Sequence, residues 1–432
     1  MPAAGPRRRI GPDDPLRVAY LSYRGKPHVG GQGVYSRHLT KALVDLGHTV
    51  EVLGGQPYPE LDERVPLTKL RSLDIFNDTY PGRFPAYWEF KDWTDIVEVA
   101  QFSTGAFSEP LAFSLRAWRE LKPRARAFDI VHDNQCLGYG LLAIERLIPT
   151  IVTLHHPITV DRRLEMEHAP NARKRRSVGR WYGFVKMQAR VARHMPRIVV
   201  VSENSIKDIH HDMGVDIERM RLVYVGVEPQ LFRPLPRIGR IPGRLITTAS
   251  ADVALKGLAY LLEAIAKLRT ERDITLTVIG RPKPGGRSAD VIERLGLTNA
   301  VQFVSGVSDE RIVELYAEAE LAVVPSLYEG FSLPAIEAMA TGTALVATTG
   351  GALAEVTGRD GDTVLSCPPG DSEALAAAIR RGLSDPAVRD RVGAKGRARV
   401  VERWTWRHTA VNTVEQYREV VAMMPPTRRR GC

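Results

Sequence analysis

The stretch 321–351, LAVVPSLYEGFSLPAIEAMATGTALVATTGG, narrows the folds open to this chain more than any other segment. Residues 321–324 are an apolar run short enough for a buried strand. Pro325 and Ser326 stop it, and Tyr328-Glu329-Gly330-Phe331-Ser332 is a turn built around a glycine. Residues 333–340 then read as a short helix, with Pro334 in a first turn that needs no N–H donor. Thr341-Gly342 ends the helix, and 344–347 begins another buried strand. A strand–loop–helix–strand unit of this kind belongs in a parallel α/β sheet.

Two carboxylates frame the step from loop to helix: Glu329 in the loop and Glu337 on the helix, eight residues apart. A helix N-terminus offers free backbone N–H groups and suits a phosphate. Gly330 lets a ligand come close to the backbone. A carboxylate on either side of that phosphate can accept hydroxyl hydrogen bonds, and a nucleotide sugar has this layout of ribose, diphosphate and hexose. The bland alternative is a helix-start glutamate and a solvated one on an ordinary α/β unit.

The pattern E-x7-E inside EGFSLPAIEAMATGTALVAT resembles the donor-site signature of retaining glycosyltransferases of the GT-B fold, family 4 type. The resemblance covers most of the chain and is weakest over 54–128. It implies an α/β protein of two Rossmann-like domains facing each other across a cleft, with the donor mainly on the second domain and the acceptor on the first. The implied reaction moves a hexosyl group from a nucleoside diphosphate sugar to a lipid-linked or saccharide acceptor, with retention and without a metal. No cofactor is implied beyond the donor substrate. Glu329 would hold sugar hydroxyls and Glu337 the ribose. Lys256 and the backbone of Gly330, Phe331, Ser332 and Leu333 would take the diphosphate. Two other classes stay open: a nucleotide-linked oxidoreductase and a non-catalytic GT-B scaffold.

With 432 residues the chain is long enough for two domains. The expected organisation is a disordered tail over 1–14, an acceptor domain over 15–235, a donor domain over 236–405, a helix over 406–424 returning to the first domain, and a disordered tail over 425–432. Three scattered cysteines suggest neither a disulfide framework nor a zinc site and fit a reducing compartment. The N-terminus has no signal-peptide core, and no apolar run approaches a membrane span. A cytoplasmic protein is expected, with peripheral contact at the inner face of the membrane as an option. The net charge of +10 favours anionic partners. Zinc-finger spacing and aromatic RNA-binding signatures are missing, so nucleic acid is not expected.

In the first half, 16–21 reads as a strand, 22–33 as a loop with Gly30, Gly31 and Gly33, 34–46 as a helix and 48–53 as the next strand. This is a mononucleotide-type layout. The dinucleotide fingerprint fails at Ser36, and no acidic residue closes the second strand. In the resembled family this glycine loop lies close to the donor phosphates and the acceptor, and Gly31 and Gly33 are assigned to donor binding. The aromatics of 54–128 read mainly as packing, with a few as candidates for acceptor contact.

Residues 150–155 form a strand ending in His155-His156. A histidine at the C-terminal end of a parallel strand faces the crevice where α/β ligands bind. Thr153-Leu154-His155 matches the family's Thr-x-His, whose histidine contacts the transferred sugar, so His155 is placed with Glu329 and Lys256 in the catalytic set, with His156 as the alternative. The segment 162–197 is the most basic, and Trp181, Phe184, Val185, Val191, Ala192 and Met195 are expected on one helical face. It reads either as a core helix with a solvated basic side or as a face resting on anionic lipid.

The segment 234–243, PLPRIGRIPG, reads as the interdomain linker. Lys256-Gly257 matches the family's diphosphate lysine, but the arginine usual five residues earlier is Ala251, and Arg281 is a candidate substitute. Asp360-Gly361-Asp362 looks like a metal-binding D-x-D but reads as a structural turn, so no metal ligands are assigned.

Overall fold

Two parallel sheets carry the chain. The first contains β1 (Arg17–Ser22), β2 (Thr49–Gly54), β3 (Leu67–Lys69), β4 (Ile130–Asn134), β5 (Thr150–Leu154), β6 (Ile198–Val200) and β7 (Met220–Leu222), in the spatial order β3-β2-β1-β4-β5-β6-β7. The second contains β8 (Ile241–Thr248), β9 (Thr275–Ile279), β10 (Val301–Val304), β11 (Ala319–Val324), β12 (Leu345–Thr348) and β13 (Leu365–Cys367), in the order β10-β9-β8-β11-β12-β13. The computed structural model describes residues 10–25, 31–77, 82–167, 169–248, 253–281 and 286–423.

All the strand pairs among the described residues are parallel, so crossovers are needed between neighbours, and most of these are helices. Leu39 and Leu43 of the helix Gly31–Asp45 and Leu261, Leu262 and Ile265 of the helix Leu258–Leu268 turn inward at helical spacing and are fully buried. In each sheet the chain order reverses once, between β1 and β4 and between β8 and β11. Such reversals open a crevice at the C-terminal ends of the strands, where α/β proteins bind ligands. The α/β reading with two Rossmann-like sheets therefore holds.

The chain divides into two units. The first runs to Val201, resumes from Ser205 to Val223 and includes the chain from Thr409; the second holds Ser202–Asn204 and Tyr224–His408. The division thus falls ahead of the expected boundary at 235/236. The reason is local: Val227 N–H donates to the Trp404 carbonyl at 2.9 Å, and a Cβ on Gly226 would lie 2.3 Å from the Thr405 backbone. Nor is 234–243 a plain linker. β8 already begins at Ile241, and Arg240 reaches the Ala319 and Gly342 carbonyls. The helix Trp406–Met423 joins the first unit, where the Tyr417 hydroxyl lies 2.6 Å from His132 Nδ1 and Glu419 pairs with Arg197 at 2.6 Å.

Residues 10–14, expected in a disordered tail, are held in place: Arg418 donates to the Gly11 and Asp14 carbonyls, both at 3.0 Å. Residues 1–9, and the tail expected over 425–432, lie outside the described residues. The first helix starts at Gly31 rather than Val34, so Gly31 and Gly33 sit in its opening turn and not in a loop. The basic segment is not one helix. It divides into Ala172–Trp181, a 3-10 turn Tyr182–Phe184 and Val185–Ala192, which leaves Trp181 exposed while Phe184, Val185 and Val191 are buried. No helix among the described residues is long and apolar enough to cross a membrane.

Candidate active site

In the second unit the reversal between β8 and β11 brings Lys256 and Glu329 together. Lys256 ends a 3-10 turn and is followed by Gly257, whose φ of +65° suits glycine. A Cβ there would stand 1.9 Å from the Pro325 carbonyl oxygen, so the two loops meet backbone to backbone. Leu327 N–H donates to the Leu255 carbonyl at 2.8 Å and closes the contact. Lys256 Nζ then donates to Glu329 Oε1 at 2.8 Å, and Ser326 Oγ donates to the same oxygen at 2.7 Å. Glu329 is anchored by its backbone too: its carbonyl accepts Ala352 N–H at 2.9 Å, and the residue bridges to Gly351. The carboxylate is therefore fixed through one oxygen, with the other left for a ligand.

Immediately beyond stands the N-terminus of the helix Leu333–Ala340. Its N-cap is Ser332, held at φ +92° and ψ 85°, a conformation that costs about 1–2 kcal/mol for a residue with a Cβ. The Ser332 hydroxyl is buried and has no hydrogen-bond partner among the described residues. A strained serine with an unanswered hydroxyl beside first-turn N–H groups is suited to an anion. Gly330 presents its carbonyl to Ser202 Oγ at 2.6 Å.

Glu337 lies further along the same helix, partly buried. Burial, and secondarily the Asp309 carboxylate, push its pKa up to about 7. Between the ordinary carboxylate range and about 7 the folded chain holds a proton that the unfolded chain has released. This group's contribution to stability therefore falls as pH rises through that window. Glu337→Gln should remove that slope, so the variant should gain roughly 1–3 kcal/mol on the wild type between pH 5 and pH 8.5 in urea unfolding. Parallel stability curves for the two proteins would mean that Glu337 ionises normally.

In the first unit the cluster at the C-terminal ends of β4 and β5 is polar and connected. Asn134 Nδ2 donates to the Gln32 carbonyl at 3.1 Å and to Ser36 Oγ at 3.0 Å, while its Oδ1 stands 2.8 Å from His155 Nε2. With Nδ2 already donating, His155 must donate from Nε2, which leaves Nδ1 as an acceptor. Burial, and secondarily His156, lower the His155 pKa to about 3, so the ring is neutral at physiological pH. The Tyr35 ring meets it edge-on at 4.7 Å. Gln135, at φ +58°, accepts His155 N–H at 2.8 Å and donates to the His156 carbonyl at 3.0 Å. His156 turns elsewhere, its Nε2 lying 2.9 Å from Asp161 Oδ2. Of the two histidines, His155 is the one tied, through Asn134, to Gln32 and Ser36 in the first two turns of the helix that opens with Gly31 and Gly33.

Several of these partners were not singled out in the sequence. Asn134, Gln135, Ser36 and Ser326 carry no motif by themselves, although the polar HDNQ after the apolar start of β4 is unusual for a strand buried along its whole length. Asp133 is fully buried there, and burial raises its pKa to about 7. Ala251 lies outside the described residues. Arg281 is exposed just past β9. The aspartates of the D-x-D look-alike are taken up by Arg381 and Lys395, and no group of three His, Cys, Asp or Glu placed to hold a metal ion occurs among the described residues.

Comparison with known proteins gives a consistent pattern. The family model Glycosyltransferase Family 4 matches residues 29–231, and the model Glycosyl transferases group 1 matches 242–399. The chain is 49% identical over 409 residues to an MMP alpha-(1->4)-mannosyltransferase of Mycolicibacterium hassiacum, covering 94% of this chain and 99% of the relative. It is 27% identical to a glycogen synthase of Mycobacterium tuberculosis, over 93% of this chain and 94% of that one. Among solved structures, sucrose-phosphate synthase from Thermosynechococcus elongatus superposes with a TM-score of 0.74 at 22% identity, covering 95% of this chain and all (100%) of that one. Anabaena Alr3699/HepE in complex with UDP and glucose superposes at 0.68 with 18% identity, covering 94% and 100%.

Proposed function

This chain belongs to the family-4-type glycosyltransferases of the GT-B fold, and from that premise we propose that it transfers a hexosyl group from a nucleoside diphosphate sugar, with retention and without a metal ion. The observation that carries the donor assignment is the Lys256–Glu329 pair at 2.8 Å beside the strained Ser332 at a helix N-terminus, whose hydroxyl has no partner among the described residues. The 49% relative makes mannosyl the first group to test and an α-(1→4) bond the first linkage. The acceptor is a saccharide, free or lipid-linked.

Without donor, Glu329 neutralises Lys256. An arriving diphosphate draws the ammonium to itself, and the sugar hydroxyls take up the carboxylate that is released. As the bond from the anomeric carbon to the phosphate oxygen breaks, negative charge grows on the leaving diphosphate. Lys256, the first-turn N–H groups and Ser332 Oγ are already fixed to meet it, so they stabilise the transition state more than the ground state. The acceptor oxygen bonds to the anomeric carbon on the same face, and its proton passes to the leaving phosphate. Glu329 holds the hexose hydroxyls, and Glu337 takes the ribose hydroxyls. The exposed cations of 162–197 suit an anionic membrane surface as a further partner.

A thermal-shift screen with UDP-, GDP- and ADP-hexoses in EDTA tests the donor assignment. One nucleotide should stabilise the chain by about 2.7 kcal/mol at a hundred times its dissociation constant. A flat response to all three, or a response that returns only with manganese or magnesium, overturns it.

A further inference from the structure

The helix Trp93–Ser103 packs Val99 and Phe102 on the core, yet it also buries charge and exposes apolar surface. Its inward side carries Asp95 and Glu98, both buried and bonded to the Arg116 guanidinium of the following helix at 2.5 and 2.6 Å. Its outward side carries Trp93, 46% exposed, and Ile96, 61% exposed, with Ala100 also exposed a turn later. A helix that faces water has the opposite arrangement. Just ahead, the 3-10 turn Tyr87–Glu89 presents Tyr87 at 83% and Trp88 at 64% exposure, and Phe84 stands at 68%. The turn is pinned from beneath: Glu89 accepts Ala86 N–H at 2.8 Å and pairs with Arg83, and Arg83 reaches the Leu73 carbonyl at 2.6 Å. The rings are thus held out by design of the local structure, and an exposed apolar ridge of this kind marks an interaction surface.

A cationic band adjoins the ridge. Phe84 lies 6.4 Å from Phe102 of that helix, Phe102 5.5 Å from Phe76, and Phe76 5.1 Å from Trp181, which ends the helix Ala172–Trp181. That helix has no acidic residue and exposes Arg173, Lys174, Arg175, Arg176 and Arg180, none of which forms an ion pair with a described residue. On the ridge side the nearby carboxylates are already taken, Glu89 by Arg83 and Asp92 by Arg119.

We propose that the ridge and the band together dock the first unit on an anionic lipid surface, the rings entering the headgroup layer and the cations meeting the phosphates. This extends the partner surface from the cationic helix to a separate insertion element. A second copy of the chain would set one cationic band close to another. A neutral saccharide would use the rings and leave Ile96 and the cations idle.

The test uses the full chain with phosphatidylcholine vesicles, with and without phosphatidylglycerol, some carrying brominated acyl chains that quench tryptophan at close range. Wild type should sediment with the phosphatidylglycerol vesicles alone, lose binding at high salt and show quenching. Changing Arg173, Lys174, Arg175 and Arg176 to Ser should weaken binding about tenfold or more. Trp93→Ser with Ile96→Ser should weaken it about tenfold and remove part of the quenching. All six positions are on the surface, so unchanged melting temperatures would exclude misfolding. Equal recovery in the supernatant with both lipids overturns the proposal. So does unchanged binding and quenching of the Trp93/Ile96 variant, a concentration-dependent dimer in light scattering that this variant abolishes, or retention on a neutral polysaccharide in place of vesicles. No donor is needed, so failure here leaves the transfer chemistry untouched, and a flat donor screen leaves this surface untouched.

Discussion

Replacing Glu329 by glutamine should lower transfer by about a hundred- to a thousandfold while the chain stays folded and still binds its nucleotide. Glutamine keeps the side chain's length and can still accept from Ser326 and Lys256, which hold Oε1 at 2.7 and 2.8 Å. It loses the negative charge. A charged hydrogen bond to a hydroxyl of the reacting sugar is worth about 1.5–3 kcal/mol, and a fixed group at the reaction centre about 3–4 kcal/mol in the rate. The structural cost is smaller, because the pair is only partly buried and Lys256 keeps access to water. Glu337→Gln should cost the rate much less, because ribose contacts are made in the ground and transition states alike. Near wild-type turnover of Glu329→Gln with an identified donor would remove the residue from the reaction centre.

Lys256→Ala should weaken donor binding and slow turnover together, each by roughly ten- to a hundredfold. Two effects add. The diphosphate loses its positive partner, and the Glu329 carboxylate is left uncompensated where the diphosphate arrives. The double variant Lys256→Ala with Glu329→Gln should therefore lose less than the product of the single losses, because the neutral glutamine amide no longer repels the donor. Steady-state kinetics over the three variants checks this. Strictly multiplicative losses would mean that the two side chains act independently, despite the 2.8 Å contact.

The site was legible where chemistry is written in short spacing. E-x7-E, with its glycine and proline, located the loop and helix of the second unit, and Thr-x-His located the end of β5. What could not be read is contact across the chain. Lys256 and Glu329 are 73 positions apart and the resemblance implies separate tasks for them, diphosphate and sugar; only the fold shows them as one ion pair. Asn134 carries no motif, yet it connects His155 to the opening turn of a helix 102 positions away. Ser332 occupies a backbone conformation that favours glycine, and nothing in Phe331-Ser332-Leu333 announces it.

The fold is legible through its apolar runs, and it departs from the local signals where tertiary contacts override them. Pro and Gly in 234–243 read as a linker. In the structure Ile241 pairs with Ala319, and the Gly243 N–H is answered by Glu320 at 2.7 Å. The helix from Trp93 shows no clear apolar period, because Asp95 and Glu98 are among its buried residues. The basic segment, read as one helical face, breaks at the 3-10 turn Tyr182–Phe184, where Tyr182 reaches Glu165 at 2.8 Å.

The measurement that bears most directly on the proposed chemistry is proton NMR of the anomeric region during slow hydrolysis of the donor found in the stabilisation screen, supplied as a nucleoside diphosphate α-hexose in EDTA. Water then stands in for the acceptor, and the first anomer formed can be read before mutarotation scrambles it. The α-hexose should appear first, at a rate that Glu329→Gln and Lys256→Ala both depress. First appearance of the β-hexose, or no hydrolysis until a divalent metal is supplied, would contradict a retaining, metal-independent transfer built on Lys256, Glu329 and the helix N-terminus at Ser332.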